Sequence, residues 1–287
     1  MSSQVVISAA LAGAATMKEQ NPATPYTPEE FAEESYRCQN EGASVVHIHV
    51  RDPATGRPTA DLAKIGDTVA AIRDRCPELL LNLSTAISPD ATADERIAPV
   101  STYAPDLASL NTNSMNAALA NRKTGEILAE YVFTNTFAQI LRYAAVMAEN
   151  AVKPELEVYD FGGMYNVLVL LKQGFSPEPL HFQMVFGLVG GVPFDLFSFA
   201  RLRELMPAGA TWSACGVGPQ QTQAGMTAAV NGGHIRVGLE DNTRMPNGEL
   251  AQGSWEQVRW AAQVARLAGR EVAEPTDART VFSLPTR

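Results

Sequence analysis

The chain has 287 residues, and its 31 acidic against 22 basic side chains give a formal net charge of −9, which argues against a nucleic-acid-binding surface. Apolar residues are nowhere continuous over the length that a bilayer requires, so we predict no membrane span. Three widely spaced cysteines, and an N-terminus that lacks the basic region of a signal peptide, lead us to expect a cytoplasmic protein with reduced thiols.

Short β-rich segments alternate with helix-like segments along the whole chain. The predicted strands cover residues 5–11, 44–50, 79–85, 107–111, 155–159, 181–187, 212–217 and 234–240. Helix-like segments between them include residues 28–41, 62–75, 137–149, 194–205 and 221–230. Eight βα units in this length predict a TIM (β/α)8 barrel, an α/β fold, as one catalytic domain over residues 1–287. A doubly wound open sheet is the alternative, but its glycine-rich phosphate turn is missing after the first strand.

Two helix starts carry capping signals. Thr27 and Glu30 have the spacing of a capping box, with Pro28 at the first helical position. Ser254 is predicted to cap the last long helix in the same way. The long connection after the fourth strand, residues 112–131, is predicted as a loop at the carboxyl end of the barrel, where enzymes of this fold keep their active sites.

Polar side chains point into the predicted barrel from several strands. Strand side chains alternate between faces, and the outward face of a barrel strand is covered by helices. Val46, Ile48 and Val50 therefore face outward, which leaves His47 and His49 inside. The same alternation places these polar residues inside: Asn82, Ser84, Ser109, Asn111, Glu155, Glu157, Tyr159, His234, Arg236 and Glu240. Buried polar groups are costly unless they are paired, so this pattern predicts a functional site.

The inward histidines and one carboxylate predict a metal site. His47 and His49 share one face of their strand, and closure of the barrel brings the strand that ends at Glu240 within reach. Two imidazoles and one carboxylate leave a coordination position open, which is typical of a catalytic site. Zinc is the first candidate, with manganese, cobalt and iron(II) as alternatives. His181 and His234 begin their strands and are predicted to be core histidines near the opposite end.

Several segments resemble the β-keto acid cleavage enzyme family. They are ISAAL (7–11), PYTPEE (25–30), GASVVHIHVRD (42–52), NLST (82–85), PELEVY (154–159) and GGHIRVGLEDN (232–242). They occur in the same order as in the family, along nearly the whole chain. The resemblance implies a transferase that needs a divalent metal, zinc for preference, and that converts a β-keto acid and acetyl-CoA into acetoacetate and the shortened acyl-CoA. It also implies a homo-oligomer, specifically a homotetramer.

The resemblance assigns roles to the metal site and its neighbours. His47, His49 and Glu240 match the metal ligands of the family. Ser84, Arg236 and Asp241 match the group of residues that abstracts a proton from the substrate. An alternative for Asp241 is a purely structural cap of the loop that it begins, because aspartate favours such turns.

Four further positions are predicted to bind substrate. Asn111 and Glu157 point inward near the carboxyl end of the barrel. Ser109 stands where the family often has a threonine that lines the pocket. Ala15 stands where the members acting on 3-keto-5-aminohexanoate carry a glutamate that meets the substrate ammonium group. The resemblance therefore implies a substrate with a neutral or anionic side chain.

Two other functions remain open at this point. A metal-dependent aldolase or lyase would cleave the carbon–carbon bond by the same Lewis-acid chemistry without CoA. A metal-binding protein without turnover is the other alternative, although storage needs no proton-transfer group such as Ser84, Arg236 and Asp241. A requirement for acetyl-CoA distinguishes the first alternative from the acyltransferase.

Overall fold

Each predicted strand has a counterpart in the structure, a computed structural model that describes residues 4–88, 90–121, 124–175 and 177–284. Within these residues the strands are β1 (Gln4–Val5), β2 (Ile7–Ala12), β3 (Val45–Ile48), β4 (Leu80–Leu83), β5 (Leu107–Asn111), β6 (Met115–Ala120), β7 (Ile127–Phe133), β8 (Lys153–Val158), β9 (His181–Phe186), β10 (Thr211–Gly216), β11 (His234–Val237) and β12 (Glu271–Val272). Most boundaries differ from the predicted ones by one to three residues.

The helices alternate with these strands. Over the same described residues they are α1 (Pro28–Asn40), α2 (Leu62–Arg75), α3 (Ala93–Tyr103), α4 (Phe137–Glu149), α5 (Phe161–Leu171), α6 (Leu196–Leu205), α7 (Gln220–Val230), α8 (Ser254–Leu267) and α9 (Pro275–Val281). In this part of the chain, a helix long and apolar enough to cross a bilayer is absent.

Eight of the strands form a closed parallel barrel in the order β2-β3-β4-β5-β8-β9-β10-β11. The barrel closes where β11 pairs with β2, with Arg236 opposite Ser8 in the register. The TIM-barrel prediction is confirmed, and the doubly wound sheet is excluded, because an open sheet lacks this last pairing. Closure brings β11 next to β2 and only one strand away from β3, which carries His47.

The alternation predicted for the strands is present in the core. The outward side chains, such as Val46, Ile48 and Leu81, belong to one large apolar cluster with the surrounding helices. The inward side chains at the amino ends of the strands, including Val6 and Leu80, pack instead on Phe282 beyond α9. The end of the barrel opposite the polar residues is therefore filled with apolar side chains.

One helix cap is confirmed and one is wrong. Thr27 accepts a hydrogen bond from the Glu30 backbone N–H, and the Glu30 carboxylate accepts from that of Thr27, so the capping box of α1 exists. Helix α8, however, has Gly253 as its cap residue, and Ser254 is its first helical residue. The Ser254 hydroxyl accepts from the Leu239 backbone N–H at 3.1 Å, which ties the helix to the chain segment after β11.

The predicted loop after β5 is in fact a β-hairpin. Strands β6 and β7 pair antiparallel, with Met115 opposite Phe133. In β7 the residues are exposed on both faces except at Phe133, so the alternation that marks a half-buried strand is missing. That absence explains why the hairpin was not predicted. It projects from the carboxyl end of the barrel and is joined to the loop before α6 by a bridge between Ala118 and Val189.

Candidate active site

Two buried histidines lie side by side at the carboxyl end of β3. His47 is inside the strand, and His49 follows its last residue, with its backbone N–H still bonded to Ala12 of β2 at 3.1 Å. The alternation of the strand therefore continues to His49, as predicted. The two rings are 5.3 Å apart between centroids, in an edge-to-face arrangement. Burial lowers the pKa of His47 to about 3, so its ring is neutral and has a lone pair to donate.

Glu240 reaches the histidines from beyond the end of β11. The predicted strand over residues 234–240 is too long, because β11 ends at Val237 and the chain turns at Gly238. This glycine has φ +149°, and a Cβ there would come within 2.0 Å of the Ala10 carbonyl oxygen. The turn, rather than strand alternation, points the Glu240 side chain inward. Its Oε1 lies 3.4 Å from His49 Nε2 and 3.7 Å from His47 Nε2.

These three residues fit a divalent metal ion. Each offers one ligand atom, and the three atoms lie within 4.8 Å of one another. Two ligands that are each about 2.1 Å from a tetrahedral zinc ion are about 3.4 Å apart, close to the distances found here. Glu240 Oε2 is buried without a hydrogen-bond partner among the described residues. An unsatisfied buried carboxylate oxygen beside two imidazoles is a set of donors that lacks its cation.

Arg236 connects Glu240 to two further carboxylates. Its Nη2 donates to Glu240 at 2.6 Å and its Nη1 to Glu157 at 3.2 Å. Its Nε and Nη2 donate to the two oxygens of Asp241 at 2.9 and 3.1 Å. With all three carboxylates ionised, one guanidinium leaves an excess of two negative charges in a buried site. A divalent cation would balance that excess, which agrees with the fit of the ligands.

Burial and charge separate the acidities of these carboxylates. Burial raises the pKa of Glu157 to about 7, against the attraction of Arg236. Burial also raises the pKa of Asp241. Although burial works in the same direction on Glu240, Arg236 and the two histidines hold the pKa of that carboxyl well below its usual range. Glu240 thus keeps its negative charge to a lower pH than the other two carboxylates, which suits a metal ligand.

Asp241 does not cap the loop that it begins. Both of its oxygens accept from Arg236, and within the described part of the chain they accept no backbone N–H. Asn242 has the capping role instead, because its Oδ1 accepts from the Arg244 backbone N–H at 3.2 Å. The Asp241 carboxylate is therefore held by a two-point contact next to Glu240.

The remaining predicted residues surround this cluster. Ser84 follows β4, its backbone N–H bonded to Ile48, and its hydroxyl accepts from the Ala86 backbone N–H at 3.1 Å. Ser109 is fully buried, and its hydroxyl accepts from the Thr85 backbone N–H at 3.0 Å, so it also shapes the turn after β4. Their contact with a substrate stays a prediction.

Asn111 and Glu157 meet at a tyrosine. The Tyr159 hydroxyl lies 2.9 Å from Asn111 Oδ1 and 3.1 Å from Glu157 Oε2. The Tyr159 ring belongs to a buried apolar cluster at the same end of the barrel, which also includes Val185 and Cys215. Polar and apolar surfaces therefore adjoin at the barrel mouth.

The loop after β2 passes over the candidate metal ligands. A Cβ on Gly13 would come within 2.5 Å of Glu240 Cγ, so only glycine fits there. The Thr16 hydroxyl donates to the Leu239 carbonyl at 3.1 Å. Ala15, between them, is exposed, and it stays a predicted specificity position.

Arg51 holds this loop and was not singled out from the sequence. It is fully buried, and its guanidinium donates to the carbonyls of Gly13, Thr16 and Gly56. No strand-end or metal-ligand pattern marks it, because its partners are backbone carbonyls whose positions depend on two loops. Its position after His49 was the available signal.

Comparison with known proteins agrees with this geometry. A family model described as "beta-keto acid cleavage enzyme" matches residues 4–284. The chain belongs to the β-keto acid cleavage enzyme family. It is 36% identical to the 3-keto-5-aminohexanoate cleavage enzyme of Fusobacterium nucleatum subsp. nucleatum, over 99% of each chain. It is 33% identical to the 3,5-dioxohexanoate:acetyl-CoA acetone transferase of Paraburkholderia graminis, over 98% of this chain and 96% of that one.

A solved structure shares the fold. The ternary complex of ObcA with a C4-CoA adduct and oxalate superposes with a TM-score of 0.73 at 24% identity, over 92% of this chain and 68% of that chain. At this identity the likeness supports the barrel alone. The membership of the family rests on the full-length sequence matches.

Proposed function

We propose that this enzyme uses a divalent metal ion to transfer the acyl group of a β-keto acid onto the CoA of acetyl-CoA, releasing acetoacetate. The observation that carries the proposal is the contiguous set of His47, His49 and Glu240 with Arg236 and Asp241 at the barrel mouth. The names of the two relatives specify different keto acids, and that of the Paraburkholderia graminis enzyme also specifies acetyl-CoA, which supports the same type of reaction.

The proposed reaction exchanges one carbon–carbon and one carbon–sulfur bond. A proton leaves C2 of the keto acid, and C2 attacks the acetyl carbonyl carbon of acetyl-CoA, which releases the CoA thiolate. The thiolate then adds to the former keto carbon, the bond from that carbon to C2 breaks, and C2 takes a proton back. The products are acetoacetate and the shortened acyl-CoA, with no net change in oxidation state or protons.

His47, His49 and Glu240 would hold the metal. A divalent ion there would polarise the keto oxygen as a Lewis acid and so lower the cost of removing a C2 proton. The donor set leaves room for substrate oxygens, because three protein ligands do not fill the coordination of zinc. The neutral state of His47 and the ionised state of Glu240 provide the required lone pairs.

Asp241 accepts the C2 proton in this proposal. Arg236 donates a hydrogen bond to each oxygen of Asp241, which fixes the orientation of this carboxylate and of its lone pairs. Ser84, beside His49 on the next strand, provides a hydroxyl on the opposite side of the metal ligands. Asn111, Glu157 and Ser109 are proposed to bind the substrate, and Ala15 to face its side chain.

A metal and activity measurement tests the proposal. Purified protein should form acetoacetate from a β-keto acid only when acetyl-CoA and bound metal are both present. His49→Ala and Glu240→Gln should each fold, lose most bound metal and lose activity, because two ligands hold zinc poorly. Glu249→Gln, an exposed carboxylate in the same connection after β11, is the matched control and should keep both.

Other outcomes would overturn the proposal. Full metal occupancy in both ligand variants would place the metal elsewhere. Cleavage of the keto acid without acetyl-CoA would show the aldolase or lyase alternative. The proposal also includes zinc as the metal, a homotetramer, one catalytic domain over residues 1–287 and a cytoplasmic location. The three buried cysteines are free thiols.

A further inference from the structure

One of the proposed metal ligands, His47, lies beside a side chain with which it could form a hydrogen bond, Asn82. Asn82 of β4 pairs with His47 of β3 in the barrel register, and both side chains point inward. Asn82 acts on the pKa of the His47 ring as a hydrogen-bond acceptor would, raising it against the larger effect of burial. Nonetheless, His47 Nδ1 and Asn82 Oδ1 are both buried, and neither has a fully formed hydrogen bond within the described residues. Among the described residues, these two atoms on adjacent strands thus have no other hydrogen-bond partner.

The orientation of the Asn82 amide is set from the other side. Asn82 Nδ2 donates to Glu155 Oε2 at 2.7 Å, and Glu155 is fully buried in β8. A carboxylate accepts hydrogen bonds, so it holds the amide nitrogen toward itself and leaves Asn82 Oδ1 on the remaining side. A rotation of the amide or of the imidazole would then join Oδ1 to His47 Nδ1.

We propose that Asn82 and Glu155 are positioning residues for the metal ligand His47: Glu155 orients the Asn82 amide, and its oxygen accepts the proton on His47 Nδ1. This arrangement keeps the lone pair on Nε2, the nitrogen that faces Glu240 at 3.7 Å. Metal-binding histidines are commonly fixed in this way through their second nitrogen, often by a carboxylate. Here an amide is inserted between the carboxylate and the imidazole.

The proposal explains a costly feature of the barrel interior. Glu155 is a carboxyl group with little exposure, and Arg236, the cation whose charge lowers its pKa, donates its hydrogen bonds to three other carboxylates. His181 Nε2 is 3.8 Å from Glu155, which is beyond a hydrogen bond. An apolar residue would fill this layer at a lower desolvation cost. Orientation of Asn82 is the role that its one short contact supports.

The experiment rests on the proposed metal site, but its first measurement is which nitrogen of the His47 imidazole carries the proton. Nitrogen-15 NMR of the metal-free wild type should show His47 protonated mainly on Nδ1, with the signal assigned by its loss in His47→Gln. In Asn82→Leu this preference should disappear, and zinc should bind about 10- to 100-fold more weakly in a chelator competition. Gln183→Leu, a buried amide of the same barrel layer without contact to His47, is the matched control and should keep wild-type zinc affinity.

A second pair of variants separates geometry from folding. Glu155→Gln keeps an oxygen that accepts from Asn82 and should retain the Nδ1 preference, whereas Glu155→Leu releases the amide and should lose it. His47 protonated mainly on Nε2 in the metal-free wild type would overturn the proposal, and so would equal weakening of zinc by Asn82→Leu and Gln183→Leu. A wild type that binds no zinc would contradict the proposed function, while the NMR result would still decide the orientation of His47.

Discussion

The guanidinium of Arg236 contacts three carboxylates whose proposed roles differ. One is a proposed metal ligand, Glu240, one the proposed base, Asp241, and the third, Glu157, faces Tyr159. Each carboxylate accepts from a different set of N–H groups on the planar guanidinium, so the position of each carboxylate relative to the others is fixed. The proposed roles of the three carboxylates therefore depend on the orientation of the Arg236 side chain.

Asp241→Asn tests the proposed base with little change in shape. The variant should bind metal normally but lose exchange of the substrate C2 protons with deuterated water, and kcat should fall by about 10²- to 10⁴-fold, because an amide does not accept the proton. Proton exchange followed by NMR, with metal content measured in the same sample, provides the check.

Asn242→Ala is the control for Asp241, because it removes the real cap of the loop. It should lower the free energy of unfolding by about 1 kcal/mol without affecting proton exchange. If Asp241→Asn exchanges C2 protons at the wild-type rate, the base lies elsewhere, and Glu157→Gln is the next variant to examine.

Ala15 leads to a prediction about substrate choice. An ammonium group at this position meets no carboxylate, and a partly exposed ion pair contributes about 1 kcal/mol. We therefore expect β-keto acids without a 5-amino group to have kcat/KM about fivefold or more above that of 3-keto-5-aminohexanoate. Ala15→Glu should narrow or reverse this ratio, whereas Ala54→Glu, in the next loop, should not. A wild-type preference for the aminated substrate would show that another acid has the role.

At the scale of strands and loops, alternation predicted much of the site. His47 and His49 face inward because the residues between and beside them are apolar and pack under helices. The same argument placed Ser109, Asn111 and Glu157 correctly inside the barrel. It reached Glu240 by a wrong route, since a turn at Gly238 sets the position of that side chain.

Features that depend on distant contacts could not be predicted in this way. The hairpin β6–β7 has no alternation in its second strand, and Arg51 binds carbonyls contributed by two loops. Helix α9 also escaped prediction, although Glu274 and Asp277 form a capping box before and after Pro275. A capping box alone is a weak signal for so short a helix. The sequence does not reveal that this helix packs against the amino end of the barrel.

The amino end of β11 makes stability depend on pH. His234 Nδ1 accepts from the Val6 backbone N–H at 3.0 Å, which requires a neutral ring, and burial lowers the pKa of His234 to about 3. The unfolded chain, with a pKa near 6.5, takes up a proton first as pH falls. His234 should therefore reduce the free energy of unfolding by about 1.4 kcal/mol per pH unit from about 6.5 down to about 3.

His234→Asn keeps an acceptor for Val6 but does not titrate. Urea unfolding at several pH values should show that the wild type loses stability more steeply than the variant in this window, and that the two curves run parallel above about pH 7. Parallel curves throughout would mean that the pKa of His234 is the same in the folded and the unfolded protein, which would contradict the prediction. The bond to Val6 argues for the neutral ring.

At the scale of the whole molecule, the hairpin has an unusual surface. Ile127, Leu128, Tyr131 and Val132 of β7 are all exposed, and the neighbours Tyr131 and Val132 lie on opposite faces of the strand, although such residues are normally buried. A strand with apolar side chains on both faces is expected to be covered in an assembly. This surface supports the homo-oligomer predicted from the family resemblance.

Val132→Asp should therefore weaken the assembly. Size-exclusion chromatography with light scattering should give a smaller particle for this variant than for the wild type, because a charge would be buried at the contact. Leu267→Asp, which replaces an apolar residue that is even more exposed, at the end of α8, should leave the mass unchanged. A monomeric wild type, or equal effects of both variants, would contradict this assignment of the interface.

The loop over the metal ligands also has a consequence for protein engineering. At Gly13 even one added methyl group collides with Glu240, whereas two residues later Ala15 is open to solvent. A library randomised at Ala15 should thus contain folded, metal-binding variants with many different side chains at this position. Among the folded, metal-binding variants of a library randomised at Gly13, almost all should have glycine. Two positions in one short loop would then differ in how many substitutions they tolerate, because Arg51 and Thr16 anchor the backbone around the open position.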